Sequence, residues 1–350
     1  MRGVPRSPWL RAAILLPFLA AVVVLLWWRG PDWNTVYRAF DVVNWAWIAL
    51  AICLNLLSVL VRSFAWRLTI DQALDPPHPR FDHVFSGFAI GLLANAILPG
   101  RIGELARVAV LRRHLPQGRG TTGLLVGTVF AHRLFDILPA LLLVAYVITT
   151  ARIPHWAVTS LVIVSAIAGL LLTAGVIGAR RRHRPTLDSA QPLRRVLAMA
   201  RQGLSVLRSP LPAAGASLLQ CAGWILQLFA VYVAMRAFDI HAPLPAAGLV
   251  LLLMNVATIF PLWPGNIGLL QAAVALPLVQ YGVAYSTGFA YALVLQFVEA
   301  SVGVGVGLLF LAGEGLSFAS LRGMPDASEL PVDEEPAPAE AARARAGVPG

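Results

Sequence analysis

The sequence predicts an all-α polytopic membrane protein, with about six transmembrane helices and two re-entrant hairpins arranged as an inverted-topology repeat. Three observations carry this. First, 58% of the 350 residues are hydrophobic and 13% charged, with mean hydropathy +0.73. Several windows run for roughly 20 residues almost without charge, about the length that crosses a bilayer core. Second, all 27 basic residues are arginine, and most lie in short connections between apolar runs, as the positive-inside rule requires. Third, Pro99-Gly100-Arg101-Ile102-Gly103 returns 165 residues later as Pro264-Gly265-Asn266-Ile267-Gly268, and Phe64-Ala65 returns as Phe229-Ala230 at the same offset.

Taken in order, residues 12–28 follow Arg2, Arg6 and Arg11 and end in Trp27-Trp28-Arg29 instead of a small-residue cleavage site. Residues 1–28 therefore read as a retained anchor and not a signal peptide. A second span, 45–61, is followed by Arg62, Arg67 and Arg80. The shorter run 84–98 ends at Pro99-Gly100, and five arginines follow within 101–119. Span 123–150 carries His132, Arg133 and Asp136 near its start. Span 157–178 leads into a loop, 180–208, with eight arginines and one acid, Asp188. Span 211–235, a second short run at 244–261 and span 288–311 complete the set.

Arginine counts give the orientation. With the N-terminus in the cytoplasm, 62–80 and 101–119 both belong inside, so run 84–98 must leave and return on one side. It reads as a re-entrant hairpin. Residues 242–287 contain no arginine, which suits an outward-facing second hairpin. Only Arg29, Arg38, Arg152 and Arg236 fall outside, and both termini are cytoplasmic. The repeat halves are about 45–150 and 211–312, joined by span 157–178 and the basic loop 179–210, within a transmembrane domain of residues 29–315. The Pro-, Ala- and Glu-rich tail, 316–350, lacks the apolar content to fold alone and reads as disordered.

Paired segments interrupted by Gly and Pro in inverted repeats point to a midplane binding site. Arg101, Glu104 and Arg107 stand three apart and line one side of any helix that starts after Gly100. Such a helix either lies on the membrane surface with its charges in water, or forms a wall that binds a phosphate through arginine forks and its own N-terminus. Arg112 and Arg113 read as topology anchors. Arg133 and Asp136 form either a structural ion pair near the cytoplasmic end or part of a polar cavity. Glu299, deep in the last span, must be protonated, paired across helices or exposed to internal water; Arg133 is the expected partner. Asn266 suits a helix cap or a headgroup ligand, and Asn95 and Asn255 suit freed backbone groups beside the breaks. Gln227, Gln271 and Gln296 read as interhelical contacts. Cys53 and Cys221, both in apolar runs, read as packing residues and not a disulfide.

The segments Asn95…Pro99-Gly100-Arg101-Ile102-Gly103-Glu104…Arg107, Arg133-Leu134-Phe135-Asp136 and Pro261-Leu262-Trp263-Pro264-Gly265-Asn266-Ile267-Gly268 resemble the lysylphosphatidylglycerol synthase transmembrane region family, also described as flippase-like. The resemblance covers roughly residues 12 to 315. It departs in the second hairpin, where Asn266 replaces a glycine and Gln271 stands near the family's acid. The resemblance implies a multi-pass protein of the bacterial inner membrane that moves polar, glycosylated or terpenoid lipids between leaflets, without the aminoacyl-transfer domain some members carry. The candidate substrate-binding residues are Asn95, Arg101, Glu104, Arg107, Arg133, Asp136, Asn266 and Glu299. The hairpin breaks are Pro99, Gly100, Gly103, Pro264, Gly265 and Gly268.

Membrane lipids, with an anionic headgroup, are the expected partners, together with enzymes of lipid biosynthesis. Nucleic acid is not, because the basic excess is spent on topology. No phosphate loop, zinc-protease helix, nucleophile elbow or Cys/His cluster occurs in the sequence, so no cofactor, metal or enzymatic activity is expected. Two further readings stay open: a membrane enzyme using Glu104 or Glu299 as acid and base, and a scaffold binding partners through the basic loop and tail. For a transporter, energy would come from the substrate gradient or from protonation of Glu104, Asp136 or Glu299.

Overall fold

The computed structural model describes residues 31–97, 103–115, 121–180, 209–259, 266 and 268–315. Among them the chain is helical, without strands. The short helix α1 (Trp33–Asp41) is capped by Asp32, whose carboxylate accepts from the Asn34 amide at 3.1 Å and the Thr35 hydroxyl at 2.7 Å. Those two bonds hold the Asp32 carboxyl below its usual range. Then come α2 (Trp45–Ala73), α3 (Phe81–Ile97), α4 (Gly103–Arg112), α5 (Thr121–Thr150) and α6 (His155–Arg180). The second half holds α7 (Pro210–Ala237), α8 (Leu244–Ile259), α9 (Leu269–Leu278), α10 (Tyr285–Ala300), a π turn (Ser301–Val306) and α11 (Gly307–Gly313).

Five of these helices are long and apolar enough to cross a membrane: α2, α5, α6, α7 and the continuous Tyr285–Gly313. They match the second to sixth predicted spans; the first, 12–28, lies outside the described residues. The fold is that of an all-α polytopic membrane protein. Helix α2 departs from the sequence expectation. Its 29 residues rise about 44 Å, so it continues twelve residues past Val61 and carries Arg62 and Arg67 within it. A charge at residue 62 marked a span end in the sequence; the helix keeps that charge because Asp136 meets it from α5.

The repeat extends to whole helices. Adding 165 to the bounds of α2 or α5 reaches, within a residue or two, α7 and Tyr285–Gly313; α3 and α4 map onto α8 and α9 within three residues. Helices α2 and α7 pack antiparallel. The Asn44 amide donates to the Ala237 carbonyl at 2.9 Å, the Ser58 hydroxyl to the Gly223 carbonyl at 2.7 Å, and Leu68 lies against Gly215. Equivalent helices thus run in opposite directions, and the repeat is inverted. The irregular turns coincide too: Pro139 inside α5 and the π turn lie 165 residues apart. Either feature interrupts the regular hydrogen-bond ladder.

Each half contributes a short helix pair. In α3/α4 the rings of His83 and His114 stack at 3.9 Å, so the start of α3 and the residues just past α4 lie together. Close approach is allowed by Gly91, where a Cβ would stand 2.9 Å from the Gly103 carbonyl oxygen. Helix α3, with 17 residues, rises only about 25 Å, less than the roughly 30 Å of a hydrocarbon core. The breaks themselves, with Pro99, Gly100 and Arg101 in one pair and Pro264 and Gly265 in the other, lie outside the described residues.

Contacts between segment ends sort them onto two faces. One face joins α1 to the start of α10 (Asp32 amide to Ser286 hydroxyl, 3.0 Å) and the α5–α6 turn to the end of α9 (Arg152 amide to Tyr281 hydroxyl, 2.8 Å). The opposite face gathers His83, His114 and Glu314; Glu314 accepts from Ser86 at 2.7 Å and lies 3.3 Å from His114. This is the sorting the arginine counts require. Trp45 and Trp47, at the start of α2, are exposed on the first face, where interfacial tryptophans belong. Both cysteines are free; Cys53 lies on the exposed face of α2 and is not a packing residue.

Candidate functional site

Asn95, near the end of α3, accepts a hydrogen bond from the Gly103 amide at 2.9 Å. It thereby satisfies one of the free N–H groups that open α4. With Gly87 and Gly91 beneath it, α4 is drawn into the bundle and buries Ala106, Arg107, Val108, Val110 and Leu111. The surface-lying amphipathic helix considered from the sequence does not form. Arg107 points inward, 1% exposed, with its guanidinium 4.5 Å from the Phe88 ring centroid and 5.3 Å from that of Trp66. Both aromatic faces attract a cation, and Trp66 is itself fixed by donating to the Thr128 hydroxyl at 3.2 Å.

From Arg107 a charged network crosses the bundle. Arg107 Nη2 lies 3.5 Å from Glu104 Oε2, and Glu104 Oε1 is closely paired with Arg133 Nη2. Arg133 Nη1 reaches Asp136 Oδ2 at 3.4 Å. Asp136 Oδ1 accepts from Arg62 Nη2 at 2.9 Å, Gln220 Nε2 at 2.8 Å and Trp224 Nε1 at 3.0 Å. Helices α2, α4, α5 and α7 all contribute. Arg62 packs its stem against Gly223, where a Cβ would stand 2.6 Å from Arg62 Cγ. Asp136 is near the middle of the 30-residue α5, so the pair with Arg133 sits at mid-bundle and not near the cytoplasmic end as the sequence implied.

Two features distinguish this network from a closed structural one. Arg133 remains 49% exposed, so the network opens on the flank of the bundle. Arg107 Nε and Nη1 are buried without a hydrogen-bond partner, although Nη2 meets Glu104. Buried donors are almost always satisfied, and a guanidinium offers five N–H donors in a planar fork.

Of the residues singled out from the sequence, Glu104, Arg107, Arg133 and Asp136 come together. Asn95 acts on the backbone, and Gly103 is packed between Gly91 and Asn95. Arg101 lies outside the described residues. Glu299 does not pair with Arg133, whose guanidinium is taken by Glu104 and Asp136; it interacts with Gln227 and lies within electrostatic reach of Arg62. Asn266, at φ +44° and buried, donates to the Ala257 carbonyl at 3.2 Å, a backbone role. Gly268, at φ +93°, takes a conformation that favours glycine, and its amide donates to Gln271 Oε1 at 2.5 Å. Gln271 in turn donates to Gln296 at 2.6 Å. These bonds of the second pair of short helices are all neutral. His132 is buried edge-on against Phe88. Arg62, Gln220 and Trp224 were missed. The signal for Arg62 was the apolar run that resumes after it, Ser63-Phe64-Ala65-Trp66. No group of three or more His, Cys, Asp or Glu side chains that could hold a metal occurs among the described residues.

The chain is 22% identical over 313 residues to a UPF0104 membrane protein of Methanothermobacter thermautotrophicus, covering 83% of this chain and 89% of that one. It is 27% identical over 153 residues to the UPF0104 membrane protein PH1989 of Pyrococcus horikoshii, covering 43% of each. No solved structure matches at a comparable level. The family model of the lysylphosphatidylglycerol synthase TM region matches residues 9–307, which include both repeat halves up to the π turn and every residue of the charged network, and the chain belongs to that family.

Proposed function

We propose that this protein is a lipid translocase of the bacterial inner membrane, with both termini cytoplasmic, that moves a lipid with an anionic headgroup between leaflets. Glycosylated and terpenoid-linked lipids fall within this class. The α3/α4 and α8/α9 pairs enter from opposite faces as re-entrant hairpins, and the charged network at the first hairpin receives the headgroup. The observation that carries this reading is Arg107: fully buried at mid-bundle, flanked by two aromatic rings, with two donor atoms unpartnered. A charged side chain at the bilayer centre costs about 2.5–3.5 kcal/mol on insertion scales. Asp136 and Glu104 offset that cost for Arg62 and Arg133, while Arg107 only shares Glu104. A phosphate oxygen would satisfy such an unpartnered donor with a charge-assisted hydrogen bond. The exposed Arg133 is the entry, Arg107 the end of the path, and the acyl chains stay in the bilayer throughout.

Reconstitution into vesicles carrying a fluorescent phosphatidylglycerol tests this, with a membrane-impermeant reductant to bleach the outer leaflet. The wild-type protein should render nearly all the probe bleachable, whereas protein-free vesicles lose about half. Arg101→Ala combined with Arg107→Ala should fall to the protein-free level. Undiminished exchange by the double variant overturns the assignment of the site. Chemical conversion of the lipid without transbilayer movement overturns translocation itself.

A further inference from the structure

Glu299 is the carboxylate beside this network that its ion pairs leave unused. It lies on α10 next to Val298, whose carbonyl accepts from Asn55 of α2 at 3.4 Å and fixes this turn against α2. The charged and titratable groups facing it are Arg62 from α2 and Tyr291 from its own helix, whose hydroxyl donates to the Val231 carbonyl at 2.9 Å. Helix α7 presents neutral Gln227. Arg62 is committed to Asp136 through Nη2, while its Nε is buried without a partner. The Gln227 Oε1 acceptor is likewise buried and unpartnered. Glu104 and Asp136, by contrast, each meet two arginines.

We propose that Glu299 is a proton-binding site coupled to the headgroup site, so that the protein moves one proton with each anionic headgroup. This rests on the reading of the charged network as that headgroup site. Among the described residues, Arg62, Arg107 and Arg133 balance Glu104, Asp136 and Glu299, three against three. A headgroup with one negative charge, as in a phosphodiester, adds one negative charge beside this set. That charge disfavours ionised Glu299, and by linkage the bound anion and the bound proton stabilise one another. Glu299 is the carboxyl that can accept the proton without leaving an arginine unpaired. Ionised, it accepts from the Gln227 amide nitrogen; once protonated, its O–H can donate to the unpartnered Gln227 Oε1 after half a turn of that group. The proton comes from water on the side of lipid entry and returns to water on release, so the moving unit is neutral. A dianionic phosphomonoester would need a second proton that the site does not supply.

The test is titration of the purified full chain in detergent with dihexanoyl phosphatidylglycerol, by calorimetry in buffers of different ionisation enthalpy. Wild-type protein should take up about one proton per lipid bound at a pH where Glu299 is ionised in the free protein. Glu299→Gln, which fixes the neutral form, should bind several-fold more tightly with no uptake, and Glu299→Asp should restore uptake. Binding without uptake by the wild type, or unchanged uptake by Glu299→Gln, overturns the coupling and leaves the headgroup site standing. Absence of binding by the wild type overturns both. In vesicles, an imposed pH gradient should accelerate lipid exchange several-fold for the wild type and leave Glu299→Gln unaffected; an equal response by both overturns the proposal.

Discussion

The Ser58 hydroxyl donates to the Gly223 carbonyl at 2.7 Å, and the two residues are the same position of the repeat, 165 residues apart. Contact between equivalent positions of antiparallel helices places a pseudo-twofold axis between α2 and α7. Arg62 follows Ser58 by one turn, and Trp224 follows Gly223 directly. The charged network thus lies beside the axis, at comparable depth from either face. Its charge is nonetheless one-sided: α4 carries Glu104 and Arg107, while α9 carries Gln271.

Asp136 is the shared acceptor of Arg62, Gln220, Trp224 and Arg133. Asp136→Ala should destabilise the protein by about 3–5 kcal/mol, the range for breaking a buried ion pair. The combination with Arg62→Ala should cost less than the sum of the two by about 0.5–3 kcal/mol. Thermal unfolding in micelles measures all three; strictly additive costs would rule out an energetic link.

Packing of α4 onto α3 depends on Gly91. Gly91→Ala puts a Cβ 2.9 Å from the Gly103 carbonyl and 3.2 Å from Arg107 Cβ, where backbone must move. The expected cost is about 1–3 kcal/mol, together with reduced lipid exchange as Arg107 shifts. Gly169→Ala on α6 meets open space and should be neutral or stabilising by up to about 1 kcal/mol. Equal melting temperatures for the two variants would refute the packing argument.

Removing the Asn95 acceptor leaves the Gly103 amide without its bond. Asn95→Ala should therefore lose about 0.5–1.5 kcal/mol. Asn95→Asp keeps the acceptor oxygen and adds charge favourable to a helix N-terminus, so its loss should be smaller. The order of the two in an unfolding experiment decides whether the cap matters.

Inversion of the repeat puts Val42 and Asp239 on one face and Arg80 on the other. All three are exposed. In a Cys53→Ser, Cys221→Ser background, cysteines introduced at 42 and 239 should react with an impermeant maleimide from the same side of sealed vesicles. A cysteine at 80 should react only from the opposite side, expected to be the cytoplasmic one. Labelling of positions 42 and 239 from opposite sides would disprove the inverted arrangement.

Much of the fold was legible because hydropathy and arginine placement act over whole segments, and the second to sixth spans needed no tertiary information. The repeat was legible at two short motifs, yet it governs entire helices, since α2 and α7 share length and register with little sequence identity. Site residues were legible where a charge interrupts an apolar run, as at Arg133 and Asp136. Arg62 was misplaced because an arginine after a run also marks a membrane boundary, and only Asp136 on another helix tells the two apart. Gln220 and Trp224 were illegible for the same reason: each looks like ordinary interhelical or interfacial material until its partner is known. Glu299 was found but wrongly paired, since sequence spacing does not reveal that Glu104 already occupies Arg133.

Pro139 and the π turn at Ser301–Val306 interrupt equivalent helices by unrelated chemistry. Past each interruption the helix packs on a short helix of the other half: Leu143 and Val147 on Gly248 of α8, and Gly307 on Ala89 and Leu93 of α3. Each long helix thus meets the other half's short helix just past its interrupted ladder, one interruption made by a missing amide hydrogen and the other by an overfilled turn.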